Sequence, residues 1–146
     1  PDGRVNLVEG SPDIGGTRAS ISMMAAEVLG IRAEDVIPSV VDTDSVGFTS
    51  GTGGSSVTFK TGWAAYEAAQ DVRRQMEQRA ARIWDITADE VEFTGGVFHH
   101  RSDPELRLTF KELAAMVHKT GDPITGRGSA RLARMPRSTS AATRPP

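Results

Sequence analysis

A long amphipathic segment sets the first limit on how this chain can fold. From about residue 58 to residue 83, apolar residues recur at steps of three and four, which places them on one face of an α-helix. Several alanines make the first half of this helix slim, so that another segment can pack closely against it. The recurring positions are Ala65, Ala69, Val72, Met76, Ala80 and Ile83.

The segments before this helix predict a strand, a helix and a second strand. Residues 4–9 alternate weakly, as in a short strand, and residues 17–29 carry the apolar stripe of a helix that ends at Gly30. Residues 36–41 are apolar and rich in β-branched side chains, and Pro38 among them favours an edge strand or a bend.

The segments after the long helix predict a hairpin and a third helix. Residues 90–93 and 97–100 flank a Thr-Gly-Gly turn, which is typical of a β-hairpin. Thr109 and Glu112 have the spacing of a capping box at the start of a helix that ends at Gly121. The elements together predict an α+β fold, a two-layer mixed sheet with three helices in the order β-α-β-α-β-β-α.

Composition narrows the class of protein. With 146 residues, 38% hydrophobic and 25% charged, the chain is predicted to be globular and soluble. It has no cysteine, which excludes disulfides, thiolate metal sites and a cysteine nucleophile and favours a cytoplasmic location. No apolar run is long enough to cross a membrane, and no signal peptide is visible.

Charge is distributed unevenly along the chain. Residues 127–146 carry five arginines and no acid, so that the total net charge of −2 leaves −7 on residues 1–126. An acidic body argues against nucleic acid as the main partner. We expect residues 1–126 to form the folded domain and residues 127–146 a basic, disordered tail, with an RNA-binding arm as the alternative for the tail.

A glycine-rich loop, residues 42–56, precedes the long helix. Its segment 50–56 reads Ser-Gly-Thr-Gly-Gly-Ser-Ser, which lacks the lysine of a P-loop and the third glycine of a Rossmann fingerprint. Glycines and hydroxyls at a helix start nevertheless favour an anion site, because free N–H groups and the helix dipole attract phosphate. A plain connection between strand and helix is the alternative.

A second glycine turn, Gly15-Gly16, also enters a helix from a strand. The two turns can converge on one phosphate-rich ligand, with a simple tight turn as the alternative. His99 and His100 are adjacent, so on a strand they point to opposite faces and do not share a metal ion. Asp42 and Asp44 fit a strand-to-turn transition better than an acid–base pair. No catalytic residue and no metal ligand is predicted.

Four segments, in this order and spacing, resemble the xanthine dehydrogenase / aldehyde oxidase family in its molybdopterin-binding large subunit. The resemblance runs from about residue 3 to residue 128. Within this range, residues 109–113 fit a later segment of the family. Residues 130–146 lie outside the resemblance. The four segments are residues 23–31, 41–44, 51–58 and 62–69.

The resemblance implies part of a molybdenum hydroxylase, an oxidoreductase that hydroxylates aldehydes or N-heterocycles. It implies molybdopterin as the cofactor, with the cytosine dinucleotide form as one alternative. The implied partners are the remainder of the molybdenum subunit and iron–sulfur and flavin subunits or domains. The cofactor-binding residues that it implies are Gly15, Gly16, Thr52, Gly53, Gly54, Ser55 and Ser56.

Three departures from the family pattern limit what the chain is expected to do. Gly15 stands where the family usually has glutamine, and Ser56 where it often has arginine. The family's catalytic glutamate lies in a Gly-Glu dipeptide that this chain lacks, so we expect a fragment that is inactive alone. Exposed apolar surface favours self-association of such a fragment. The alternative is a stand-alone nucleotide- or protein-binding module that keeps only the family's shape.

Overall fold

A computed structural model describes residues 2–10, 15–41 and 56–129 of the chain. Within these ranges it contains three α-helices and five strands, and the strands form two small sheets, one parallel and one antiparallel. The predicted α+β class with its three helices and order of elements is confirmed. One additional short strand precedes the last helix. None of the described helices is both long and apolar enough to cross a bilayer.

The first sheet is a parallel pair of strands. β1 (Val5–Glu9) pairs with β2 (Val36–Val40) in a register that places Glu9 opposite Val40. The ladder extends by one residue, because the Val41 N–H donates to the Glu9 carbonyl at 2.9 Å. A parallel pair requires a long crossover between its strands, and both strands then end at the same edge of the sheet.

Helix α1 (Thr17–Leu29) forms the crossover between β1 and β2. It ends as predicted at Gly30, whose left-handed backbone (φ 62°) closes the last turn, and the Ile31 N–H donates to the Ala26 carbonyl at 3.1 Å. This is the hydrogen-bond pattern of a glycine-terminated helix. The apolar residues that α1 buries are Ile21, Ala25, Ala26 and Leu29.

Helix α2 (Ser56–Trp84) packs against α1 and spans slightly more residues than the sequence predicts. It ends at Asp85, which adopts the left-handed conformation (φ 55°) that glycine adopts after α1. The Ile86 N–H donates to the Ala81 carbonyl at 3.0 Å and completes the same terminal pattern. Four residues of the predicted stripe are buried, namely Ala65, Ala69, Met76 and Ala80. Val72 and Ile83 of that stripe are only half-buried, and Ala81, which the pattern did not include, is buried.

The second sheet is antiparallel. β3 (Val91–Thr94) and β4 (Val97–His100) form the predicted hairpin, and β5 (Arg107–Thr109) pairs with the other edge of β4. Gly95 and Gly96 make the two-residue connection with φ of 57° and 81°. Positive φ at both central residues is the geometry that matches the twist of a tight hairpin, and glycine adopts it most easily.

Helix α3 (Phe110–Met116) begins at the predicted capping box. The Thr109 N–H donates to Glu112 Oε2 at 2.8 Å, and the Glu112 N–H donates to Thr109 Oγ1 at 3.2 Å. The bond from the Thr109 backbone, more than that from its hydroxyl, holds the pKa of the Glu112 carboxyl below its ordinary value. A 3-10 turn (Val117–Lys119) follows, so the helical segment ends just before the predicted Gly121.

One apolar core joins the two sheets and the helices. Phe98 is fully buried, with its ring centroid 4.6 Å from that of Phe93 and 6.5 Å from that of Phe110. Leu29 from α1 and Leu113 from α3 are buried in the same cluster. The hairpin therefore stabilises the helices of the first half by burying an aromatic side chain among them.

The two halves also meet backbone to backbone. A Cβ atom built on Gly30 would meet the backbone of Gly96, and one built on Gly96 would meet the carbonyl oxygen of Gly30. The Gly96 carbonyl in turn accepts a hydrogen bond from the Phe110 N–H at 3.0 Å. No side chain larger than hydrogen fits at this contact without displacing backbone.

Residues 120–129, here called the C-terminal strap, run along α2 in the opposite direction. Arg79 donates to the Asp122 carbonyl at 2.8 Å, and Gln75 donates to the Thr125 carbonyl at 2.9 Å. The charge of the arginine strengthens the first of these bonds. A segment without periodicity is thus held by side chains of the helix beside it.

The strap covers the slim side of α2. A Cβ on Gly126 would meet the carbonyl oxygen of Ala68, and one on Gly128 would meet that of Ala64. The close packing that the alanines predict is therefore made by this chain's own C-terminal part. The first residues of the predicted basic tail belong to the strap, and residues 130–146 lie outside the described residues. A domain boundary at residue 126 stays a prediction.

Candidate functional site

The predicted glycine turn at the start of α1 has a left-handed backbone. Gly15 and Gly16 have φ of 60° and 79°, and Gly16 is the residue that caps the helix. Its carbonyl accepts from the Ala19 N–H at 3.1 Å, but no side chain caps the first turn, which contains no acidic residue. Because the first turn carries no acidic side chain, no carboxylate of α1 itself offsets the positive end of the helix dipole there.

No other described residue crowds this turn. Within the described ranges, a Cβ atom built on Gly15 or on Gly16 would have no heavy atom within 4 Å beyond the adjoining residues. The two glycines are therefore required by their backbone conformation and not by close packing. A ligand that approaches this backbone meets no side chain of the turn itself.

The parallel pairing ends β1 and β2 at one edge of the sheet, and a glycine segment follows each strand in the sequence. β1 ends at Glu9, directly opposite Val40 at the end of β2. The first glycine turn follows β1, and the glycine-rich loop 42–55 follows β2 and leads into α2 at Ser56. In open α/β sheets, ligands bind at the carboxyl ends of the strands. The arrangement is the one required for two loops to share one ligand.

The described part of the site is limited to its first turn. Gly15 and Gly16 lie there, and Ser56 is the first residue of α2. The other predicted contacts (Thr52, Gly53, Gly54 and Ser55) and the Asp42–Asp44 pair fall outside the described residues. Binding at the seven positions stays a prediction.

Buried polar side chains flank the turn, and the sequence did not reveal them. Glu9, Thr17 and Ser22 are at most 7% exposed. Glu9 ends β1 and Thr17 begins α1, so two of them stand at either side of the turn. Ser22 Oγ, further along α1, is buried and has no hydrogen-bond partner among the described residues. A buried polar atom of this kind fits a site that a polar ligand completes.

The two adjacent histidines have structural contacts. His100 Nδ1 accepts from the N–H groups of Ser102 and Asp103, both at 3.0 Å, and its Nε2 lies 3.8 Å from Glu90 Oε1. The ring thus organises the turn after β4. No group of three or more potential metal ligands occurs in the part of the chain that the structure describes.

The sequence profile of one family matches nearly the entire chain. The profile is that of the molybdopterin cofactor-binding domain, and it matches residues 1–144. The chain belongs to this family. Because the match continues to residue 144, the prediction that residues 130–146 lie outside the resemblance was wrong for residues 130–144.

Two named relatives come from molybdenum enzymes. The chain is 28% identical over 124 residues to the carbon monoxide dehydrogenase large chain of Afipia carboxidovorans, covering 84% of this chain and 15% of that protein. It is 32% identical over 91 residues to the xanthine dehydrogenase of Emericella nidulans, covering 62% of this chain and 7% of that protein. The predicted resemblance to the xanthine dehydrogenase family is confirmed. The chain spans a small part of the length of these relatives.

Solved structures contain the same fold. Cu,Mo-CO dehydrogenase matches with a TM-score of 0.71 at 27% identity, over 84% of this chain and 16% of that one. Quinoline 2-oxidoreductase from Pseudomonas putida matches with a TM-score of 0.66 over 88% of this chain and 17% of that one. At 22% identity the second match establishes a shared fold alone.

Proposed function

We propose that this chain is the part of a molybdenum hydroxylase large subunit that binds the phosphate-bearing end of molybdopterin. The observation that carries the proposal is the parallel pairing of β1 with β2. It directs the Gly15-Gly16 turn and the 42–55 loop from the same edge of the sheet, each into the start of a helix. Phosphate is the group that such helix starts favour.

The residues of the chain would bind and orient the cofactor. The N–H groups at the start of α1 would donate to phosphate oxygens, and the hydroxyls of Thr52, Ser55 and Ser56 would add donors from the second loop. When bound, the cofactor supplies the molybdenum redox centre. Both a mononucleotide and a cytosine dinucleotide form carry the phosphate that these donors recognise.

The remaining parts of the function belong to other segments. We propose that the base for hydroxylation of an aldehyde or N-heterocycle comes from the remainder of the molybdenum subunit. Electrons would leave through iron–sulfur and flavin subunits or domains. A cytoplasmic location is likewise a prediction from the sequence. The chain covers only a small share of its relatives' length, which supports assigning these steps to other segments.

Co-expression tests the proposal. The chain, carrying an affinity tag, is produced together with the remainder of a matching large subunit, and molybdenum and pterin are measured in the purified complex. We expect molybdenum and pterin each to be present at about one mole per mole of the complex. A monodisperse chain that binds neither the remainder nor the cofactor would support a stand-alone module instead.

A matched pair of substitutions locates the site. Asp and Asn both tolerate the left-handed backbone of Gly16 and have nearly equal size, so Gly16→Asp and Gly16→Asn differ mainly in charge. Asp placed at the helix start would repel phosphate, and we expect at least about a tenfold lower cofactor content than with Asn, equivalent to about 1.4 kcal/mol. The free energy of unfolding is the control. It should be about equal in the Asp and Asn variants, because the two side chains have nearly the same size and tolerate the same left-handed backbone. Equal cofactor content in the two variants would remove this turn from the site.

A further inference from the structure

The parallel sheet of β1 and β2 is covered on only one face by the residues that the structure describes. On its inner face, Val36 is buried in the core, and Val5 and Leu7 pack against the same cluster. On its outer face, Val8 is 49% exposed and Ile37 is 42% exposed. Parallel sheets are normally buried on both faces, and most sheets contain more than two strands. This sheet therefore has the properties of an incomplete layer.

The hydrogen bonds between the strands show which backbone groups of β1 face away from β2. The Val41 N–H donates to the Glu9 carbonyl at 2.9 Å, so this carbonyl points toward β2. The N–H and C=O groups of one residue point to the same side of a strand, and the side alternates from each residue to the next. The backbone groups of Asn6 and Val8 therefore point to the outer edge of β1.

This outer edge of β1 is open within the described ranges, where β2 is the only strand that pairs with β1. At the start of the edge, the Arg4 N–H already has an acceptor, because it donates to Asp2 Oδ1 at 3.1 Å. Asn6 and Val8 follow, and each presents one N–H and one C=O group. A row of such groups on an edge strand is a template on which a further strand can pair.

The outer edge of β2 is less suited to the same interaction. By the same alternation, Val36, Pro38 and Val40 face this edge. Pro38 has no N–H to donate, and the Val36 N–H donates to the Ala33 carbonyl in the 3-10 turn before the strand. Of the three residues, Val40 alone offers a donor to another strand. The sheet can therefore grow from β1 more readily than from β2.

We propose that a further strand from the remainder of the molybdenum subunit pairs with the outer edge of β1 at Asn6 and Val8. The chain covers 15% of the carbon monoxide dehydrogenase large chain and 7% of the xanthine dehydrogenase, so most of such a subunit lies outside it. The added strand would need an apolar side chain beside Val8, because neighbouring strands pack their side chains face by face. The proposal rests on the proposed place of the chain in a larger subunit, and not on cofactor binding.

Residue-resolved amide hydrogen exchange tests the proposal. The full chain alone is compared with the complex formed by co-expression with the remainder, in a host that makes no molybdopterin, so that failure of cofactor binding does not affect the result. We expect the amides of Asn6 and Val8 to exchange at least about tenfold more slowly in the complex. The amides of Leu7 and Glu9 face β2 and should be protected in both samples, which is the control for the fold of the sheet.

Three outcomes of the exchange experiment would overturn the proposal. Unchanged exchange at Asn6 and Val8 in the complex would mean that no strand pairs there. Protection of the same amides in a monomeric free chain would assign the edge to another segment of this chain. Protection in a dimer of the free chain would assign it to a second copy.

A matched pair of substitutions tests the edge within the complex, whether or not the free chain is stable. Val8→Pro removes an outward donor from β1, and Val40→Pro removes one from β2, while neither removes a hydrogen bond between the two strands. We expect Val8→Pro to raise the Kd for the remainder at least about tenfold more than Val40→Pro, measured in the cofactor-free complex. Equal effects of the two substitutions, or a parent chain that does not bind the remainder, would contradict the proposal.

Discussion

Two diglycine turns in this protein share a backbone conformation but differ in their surroundings. Gly15 and Gly16 have φ of 60° and 79°, and Gly95 and Gly96 have φ of 57° and 81°. Gly96 lies against the backbone of Gly30, whereas both residues of the first turn face open space. The same backbone conformation is therefore packed against another segment at Gly96 and exposed at Gly15 and Gly16.

The comparison extends to how the helices begin. α3 starts at a capping box between Thr109 and Glu112, and the 3-10 turn before β3 has a second box between Thr87 and Glu90. α1 starts at Gly16 without any side-chain cap. The antiparallel half satisfies its helix starts internally. The start of α1 in the parallel half has no side-chain cap, which is the property that the proposed function uses.

The largest expected effect is a loss of folding stability when alanine replaces Gly96, compared with the same replacement at Gly16. Gly96→Ala should lower the free energy of unfolding by about 3 kcal/mol, because it combines a left-handed backbone with a collision against Gly30. Gly16→Ala should cost only about 1 kcal/mol, the conformational part alone. Urea denaturation of both variants measures the difference. Equal losses would mean that the contact between Gly30 and Gly96 contributes nothing.

A smaller loss of stability is expected when alanine replaces the first glycine of each turn. Gly15→Ala and Gly95→Ala both place a methyl group in open space at nearly equal φ, so each should lower the free energy of unfolding by about 1 kcal/mol. In the co-expressed complex, only Gly15→Ala should lower the molybdenum and pterin content. A decrease with Gly95→Ala as well would indicate a general folding defect.

The smallest effect concerns pH. Hydrogen bonds from the Thr87 and Thr109 backbones lower the pKa of Glu90 and Glu112 in the folded protein. A carboxyl with a lowered pKa stabilises the fold above its unfolded pKa, and this contribution is lost as the pH falls through the folded value. Glu90→Gln combined with Glu112→Gln should therefore reduce stability at pH 7, and the difference from the parent should shrink as the pH falls below about 4. Thermal unfolding across pH 3–7 measures it, and a constant difference would exclude the carboxylate charge as the cause.

Much of the secondary structure could be predicted from local patterns. The end of α1 at Gly30, the hairpin around Gly95 and Gly96, and the capping box at Thr109 and Glu112 are where the sequence places them. Each depends on interactions within a few residues, so the pattern contains the information. The sequence also identified the Gly15-Gly16 turn for the same reason.

Other features depend on partners that are distant in the chain. β5 is three residues long and carries no clear alternation, and it forms because β4 presents a free edge. The strap has no periodicity at all, and Arg79 and Gln75 hold it from α2. Glu9, Thr17 and Ser22 showed no sign of burial, because burial of a polar residue depends on what covers it.

The sequence by itself determined most of the helices and strands and both glycine turns, and it identified the family, because these depend on local conformation and on residue types in order. Only the tertiary structure decided which segments meet. Parallel pairing ends β1 and β2 at one edge, and Gly96 lies against the backbone of Gly30. Both outcomes depend on which distant segments meet, because local conformation fixes the shape of a turn but not its neighbours.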